Sequence, residues 1–308
     1  MILDAAGNLY GTTLVGGAYG LGVVFKLKSN PDGTWTESVL HSFTGGADGA
    51  LPHGGLIFDS VGNLYGTANG GGYNDNGVVF KLAPNPDGTW TESVLHTFAG
   101  PDGSSPVGDL IFDASGNLYG TTANGGVYTG ETGVVFKLAP NRHGTWTESV
   151  LYNFTGCADG GFSFAGLIFD ATGNLYGTTA AGGAYNYGVV FKLAPNRDGT
   201  WTESVLYSFT GGAGGGVPFA GVIFDATGNL YGTANDRGST NCTFGCGVVF
   251  KLAPTSSGWR ERVLHTFLGF GKYPEGPVIF GPAGNLYGTT SNNPTTTLPY
   301  GLVFEITR

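Results

Sequence analysis

The chain has 308 residues, with 13 Lys plus Arg against 22 Asp plus Glu, a formal net charge of −9. Without a basic cluster, that balance argues against nucleic acid and anionic membrane surfaces as partners, and no apolar run approaches the ~20 residues of a membrane helix. The 58 Gly, 21 Phe and 15 Tyr beside a single Met point to a β protein rich in tight turns.

Gly-Asn-Leu-Tyr-Gly-Thr opens at Gly7 and returns at Gly62, Gly116, Gly173, Gly228 and Gly284, starts that lie 55, 54, 57, 55 and 56 residues apart. Six copies at one period make the chain an array of a single supersecondary unit. A single domain over 1–308 is expected, divided approximately at 1–54, 55–108, 109–165, 166–220, 221–276 and 277–308.

The second copy serves as the type. Gly55–Asp59 reads as strand A and, after a turn capped by Asp59, Asn63–Thr67 as strand B. A glycine-rich loop leads to strand C, Gly77–Leu82. The turn Asn85-Pro86-Asp87-Gly88 then leads to strand D, Trp90–Phe98. Strands A and C are continuously apolar, as strands covered on both faces are. No window shows helical periodicity. Four hairpin-linked strands covered on both faces and repeated six times predict a six-bladed β-propeller, with an open β-solenoid as the competing layout. Copy 6 ends after strand C, so its blade is expected to lack the outer strand. It also has Gly281 in place of the turn Asp and Glu305 in place of the strand C lysine.

The run Gly-Asn-Leu-Tyr-Gly-Thr, then Gly-Val-Val-Phe-Lys-Leu, then Trp-Thr-Glu-Ser-Val-Leu-His-Thr-Phe resembles the GloVer tandem repeat, a family described as "choice-of-anchor" tandem repeat proteins. The resemblance spans all six copies. It implies a secreted or surface-anchored bacterial repeat protein and carries no established activity. The chain is expected to hold neither a leader nor an anchor, because Met1-Ile2-Leu3-Asp4 already reads as repeat and no anchoring segment follows.

Loops vary between copies where B meets C and where D meets the next A, so that face is the candidate ligand face. It carries Tyr19, Tyr73, Tyr128, Tyr185 and Tyr300 beside Asp48, His53, Asp102 and Asp159. Aromatic rings beside carboxylates can hold a glycan, the rings stacking and the carboxylates accepting hydroxyl protons. The plainer alternative makes the tyrosines part of the loop fold, since repetition favours structure over a unique site. The series Asp4, Asp59, Asp113, Asp170 and Asp225 reads as turn caps rather than calcium ligands. The strand C lysines are expected in solvent or paired with Glu37, Glu92, Glu148 and Glu203. Cys242 and Cys246 are expected to form a loop disulfide, leaving Cys157 alone, which suits an extracellular or cell-surface location. No metal or cofactor is expected.

Three functions follow. The first is a surface interaction scaffold, self-assembling into an oligomer or filament through the open blade-6 edge. The second is a carbohydrate-binding propeller. The third is a propeller hydrolase or lyase, for which only the fold argues.

Overall fold

A computed structural model of the chain describes residues 1–130, 132–239, 245–268, 271–291 and 301–307. It contains six antiparallel sheets, five of four strands and the last of three. The protein is thus an all-β, six-bladed β-propeller, and among the described residues the single helical element is a 3-10 turn at Tyr73–Asp75. Blades 1 to 3 fall in one compact unit, residues 1–153, and blades 4 to 6 in another, residues 154–308.

In blade 2 the strands are A, Ile57–Phe58; B, Leu64–Ala68; C, Val78–Pro84; and D, Trp90–Thr97. Strand A is shorter than the five residues the sequence suggested. Only Ile57 and Phe58 pair with strand B. The backbone on either side is engaged elsewhere: the Gly55 N–H donates to Asp109 Oδ1 of blade 3 at 2.5 Å, and Asp59 is turned into the hairpin.

Each residue of Gly62-Asn63-Leu64-Tyr65-Gly66-Thr67 has a physical task. Gly62 supplies the positive φ of the turn, 87°. Asp59 accepts hydrogen bonds from the N–H groups of Val61 (3.0 Å) and Asn63 (2.9 Å), from Asn63 Nδ2 (2.6 Å) and from the Tyr65 hydroxyl (3.0 Å). Burial opposes ionisation there, yet these four bonds hold the carboxyl below the usual carboxylate range. Leu64 is fully buried. Gly66 has no room for a side chain, since a Cβ would lie 2.7 Å from Phe80 Cζ. Thr67 Oγ1 donates to the Gly108 carbonyl, in the loop that leads into the next blade, at 3.4 Å, as Thr12 does to Gly54 at 3.1 Å and Thr178 to Ala220 at 2.9 Å. Asp4, Asp113, Asp170 and Asp225 cap their turns as Asp59 does.

The core lies in the seams between blades. Between blades 1 and 2, Tyr10, Val24 and Phe43 meet Leu56, Leu64, Phe80 and Leu82, with Trp90 and Val94 packed at the outer end. Equivalent positions build the seams between blades 2 and 3 and between blades 4 and 5. Each large apolar side chain buried there stabilises by about 1.5–3 kcal/mol relative to exposure. Alternation divides strand C between two seams: Val78, Phe80 and Leu82 face the preceding blade, and Val79 faces the following one.

That alternation corrects one expectation. Lys81 pairs in register with Ser93, while Glu92 pairs with Leu82 on the opposite face. The lysine does not meet the glutamate. Its ammonium lies 5.8 Å from the centre of the Tyr65 ring, and Lys26, Lys137, Lys192 and Lys251 sit over Tyr10, Tyr119, Tyr176 and Tyr231 in the same way. Strand D also carries a bulge that periodicity did not reveal. Val79 faces His96 and Phe80 faces Val94, leaving Leu95 as the extra residue. The same slip recurs in blades 1, 3, 4 and 5.

Candidate binding face and seam carboxylates

The loop after strand D of one blade is stitched to the B–C loop of the next. Ala50 and Gly70 exchange both backbone bonds, at 2.8 and 3.0 Å. Ser104 pairs likewise with Asn124, Gly161 with Ala181, and Gly216 with Asp236. These bridges place the two variable loop types side by side. At one position of this stitching a non-glycine residue holds a positive φ in five copies: Leu51, Ser105, Phe162, Val217 and Tyr273, between 54° and 62°. For the β-branched Val217 this is a costly conformation.

Tyr73, Tyr128 and Tyr185 project from B–C loops stitched in this way, and Tyr19 from the B–C loop of blade 1. Tyr19, Tyr73, Tyr128 and Tyr185 are 62, 65, 48 and 58% exposed, so none of them serves the core. Tyr300 lies outside the described residues. The acidic residues expected beside them are turned into their own loops. Asp48 accepts from the Thr44 N–H at 2.9 Å and the Thr44 hydroxyl at 2.5 Å, with His41 Nε2 at 3.1 Å. Asp102 accepts from the Ala99 N–H at 2.8 Å, with His96 Nε2 at 3.0 Å. Asp159 accepts from the Thr155 N–H at 2.9 Å and from the Thr155 hydroxyl. His53 is exposed in the following loop. The structure therefore gathers the tyrosines on one class of loop and commits the three aspartates to holding loop shape.

Sequence reading passed over a second cluster, at the seams. Glu92 of strand D turns toward Asp48 of the preceding blade, Glu148 toward Asp102, and Glu203 toward Asp159. Burial first, and then the negative charge of the aspartate, push each of these glutamates up to about 7. Between blades 4 and 5 the aspartate position is Gly214, and the Tyr207 hydroxyl donates to Glu261 Oε2 at 3.0 Å. Oε1 of Glu92, Glu148, Glu203 and Glu261 is buried with no hydrogen-bond partner among the described residues. A protonated carboxyl beside an ionised one can donate and accept a proton. The signal was present in Trp-Thr-Glu-Ser, where in copies 2 to 4 the glutamate alternates onto the face of the half-buried tryptophan.

Cys246 is buried and disulfide-bonded, and Cys157 is exposed and free. Cys242 lies outside the described residues. Among the described residues no three His, Cys, Asp or Glu side chains gather as a metal site would need, and no helix is long and apolar enough to cross a membrane.

Solved propellers are similar in fold. A periplasmic gluconolactonase of Pseudomonas aeruginosa superposes with a TM-score of 0.58 at 16% identity, over 99% of this chain and 87% of that one. A luciferin-regenerating enzyme superposes at 0.54 and 16% identity, over 92% of this chain and 84% of that one. At such identity the likeness concerns the fold alone. No curated protein matches the sequence. The model of the Gloeobacter/Verrucomicrobia repeat matches residues 1–244 and 132–308, which together cover every copy of the motif. The chain belongs to the Gloeobacter/Verrucomicrobia repeat family.

Proposed function

We propose that the chain is a non-catalytic binding scaffold, displayed outside the cell, whose tyrosine-bearing loop face holds a glycan. The observation that carries this reading is one well-exposed tyrosine on the B–C loop of each of blades 1 to 4. A large ring kept in water at a repeated place is available for stacking, and its hydroxyl for hydrogen bonding. The stitched loops hold the rings on a rigid base, which lowers the ordering cost of binding. The disulfide at Cys246 supports an oxidising compartment.

A glycan array probed with the 308-residue chain and with its Tyr73→Ala/Tyr128→Ala/Tyr185→Ala variant tests the reading. Binding to a defined glycan set is expected, and the variant should lose it. Undiminished binding by the variant, or no binding by either chain, overturns the reading.

A hydrolase is the second reading, favoured by the three Asp–Glu seam pairs and by the fold shared with the periplasmic gluconolactonase. Their recurrence at three seams suits a packing element better than a single catalytic centre. Lactone hydrolysis abolished by Glu92→Gln, Glu148→Gln or Glu203→Gln would favour the enzyme.

A further inference from the structure

The fifth strand D departs from the others. Trp259-Arg260-Glu261-Arg262 stands where copies 1 to 4 carry Trp-Thr-Glu-Ser. Register fixes where the two arginines point. Arg262 pairs with Lys251, whose ammonium lies over Tyr231, and Arg260 pairs with Ala253. Both arginines therefore join Lys251 on the flank of blade 5 that faces blade 6. Neither guanidinium has a carboxylate partner among the described residues.

At three seams the incoming strand D covers this flank. Trp90 packs on Tyr10 with ring centres 6.3 Å apart, and Trp146 packs on Tyr65 at 6.2 Å. Trp259 and Val263 join the seam between blades 4 and 5. The seam between blades 5 and 6 holds Tyr231, Leu264, Phe304 and Ile306, but no tryptophan and no strand D valine. Two cavities open on this flank. One of about 300 Å³ is lined by Tyr231, Lys251, Arg262, Leu264 and Ile306. The other, of about 380 Å³, shares Lys251 and Arg262 and adds Arg260. Beside them runs Val303–Ile306, whose outer edge pairs with no strand among the described residues.

We propose that this groove is an acceptor site for an extended peptide bearing an aromatic residue followed two positions later by a carboxylate. The peptide adds to Val303–Ile306 as a fourth strand, with its backbone bonds supplying affinity. Its aromatic ring seats beside Tyr231 and Leu264, as Trp90 seats on Tyr10. Its carboxylate meets the flank where arginines have replaced Thr and Ser. The three filled seams supply the template for the pose, and the arginines supply charge complementarity that those seams lack.

The test uses a dye-labelled peptide with the sequence of residues 90–98, titrated with the 308-residue chain and followed by fluorescence anisotropy. Saturable one-to-one binding at roughly micromolar Kd is expected, weakening with salt. Arg260→Thr/Arg262→Ser restores the pattern of the other copies. Both side chains are exposed, so the fold is retained, as circular dichroism will check. This variant should bind about tenfold more weakly, as should a peptide whose glutamate is replaced by lysine. Absence of binding, or binding indifferent to both changes, overturns the proposal. So does a concentration-dependent dimer that the peptide does not displace, which would assign the flank to a second copy.

Discussion

Glu305 accepts a hydrogen bond from the Tyr287 hydroxyl at 2.8 Å, and its same oxygen accepts from Asn285 Nδ2 at 2.7 Å. In the other blades the turn aspartate receives these bonds. Blade 6 has Gly281 there, and the acceptor has moved across the ladder to strand C. The two departures are one exchange. A Cβ on Gly281 would lie 2.4 Å from Tyr287 Cε2, so the ring occupies the space that the aspartate would need. Gly281→Asp and Glu305→Lys should each lower the denaturation midpoint. The double variant, which restores the pattern of the other copies, should recover most of the loss. A double-mutant cycle in denaturant measures the coupling.

Acidity should stabilise the seams. Glu92, Glu148 and Glu203 are pushed up to about 7 from 4.5, by burial and then by the facing aspartates. An acid whose pKa is raised by folding gives stability that is fully present below its unfolded value and is lost as pH climbs through the folded one. The turn aspartates run the other way. Although burial opposes it, their hydrogen bonds hold them below 3.8, so their contribution fades as pH falls. Burial of His96 and His265 lowers both imidazoles, which partly offsets the glutamates as pH falls through 6.5. The Tm should therefore peak near about pH 5 and decline toward pH 8. Calorimetry on the Glu92→Gln/Glu148→Gln/Glu203→Gln variant should find most of that decline removed.

Gly66→Ala should cost about 1–3 kcal/mol through overpacking. The added methyl meets Phe80 Cζ at 2.7 Å and Leu56 Cδ2 at 3.0 Å. Phe80→Leu in the same chain makes room, so chemical denaturation should find the pair less destabilised than the sum of the two single changes.

Thiol titration of the denatured, unreduced chain should count one free cysteine, Cys157, and titration after reduction should count three. Because Cys157 is exposed, the native chain should react at that one thiol without denaturant.

Blade number, strand order and the capped turns were legible because they rest on local spacing: Asp59 reaches only as far as Tyr65. What escaped notice lies between residues distant in the chain. Glu92 meets Asp48 across 44 residues, and Glu305 replaces an acceptor that would sit 24 residues earlier. The bulge at Leu95 hid the facing of His96, because strict alternation fails where a strand carries an extra residue. Strand A was overestimated because Gly55 and Leu56 are apolar for another reason. Leu56 fills the seam, and the Gly55 backbone bonds to the next blade. On the candidate face, the repeat spacing sets the tyrosines on the B–C loops, where Tyr19, Tyr73, Tyr128 and Tyr185 are exposed. It did not reveal that Thr44, Ala99 and Thr155 already satisfy the neighbouring aspartates.

In copies 1 and 2 the threonine that closes the motif reaches a carbonyl at the entry to the following blade, and the tyrosine before it presents its ring to that blade's tryptophan. Both partners sit at fixed motif positions, so the surface one copy offers is the surface any later copy is shaped to receive. In-register recombination between copies of the gene would create a junction already complementary on both sides. The two faces of such a junction would match at the positions that already pack in blades 1 to 3.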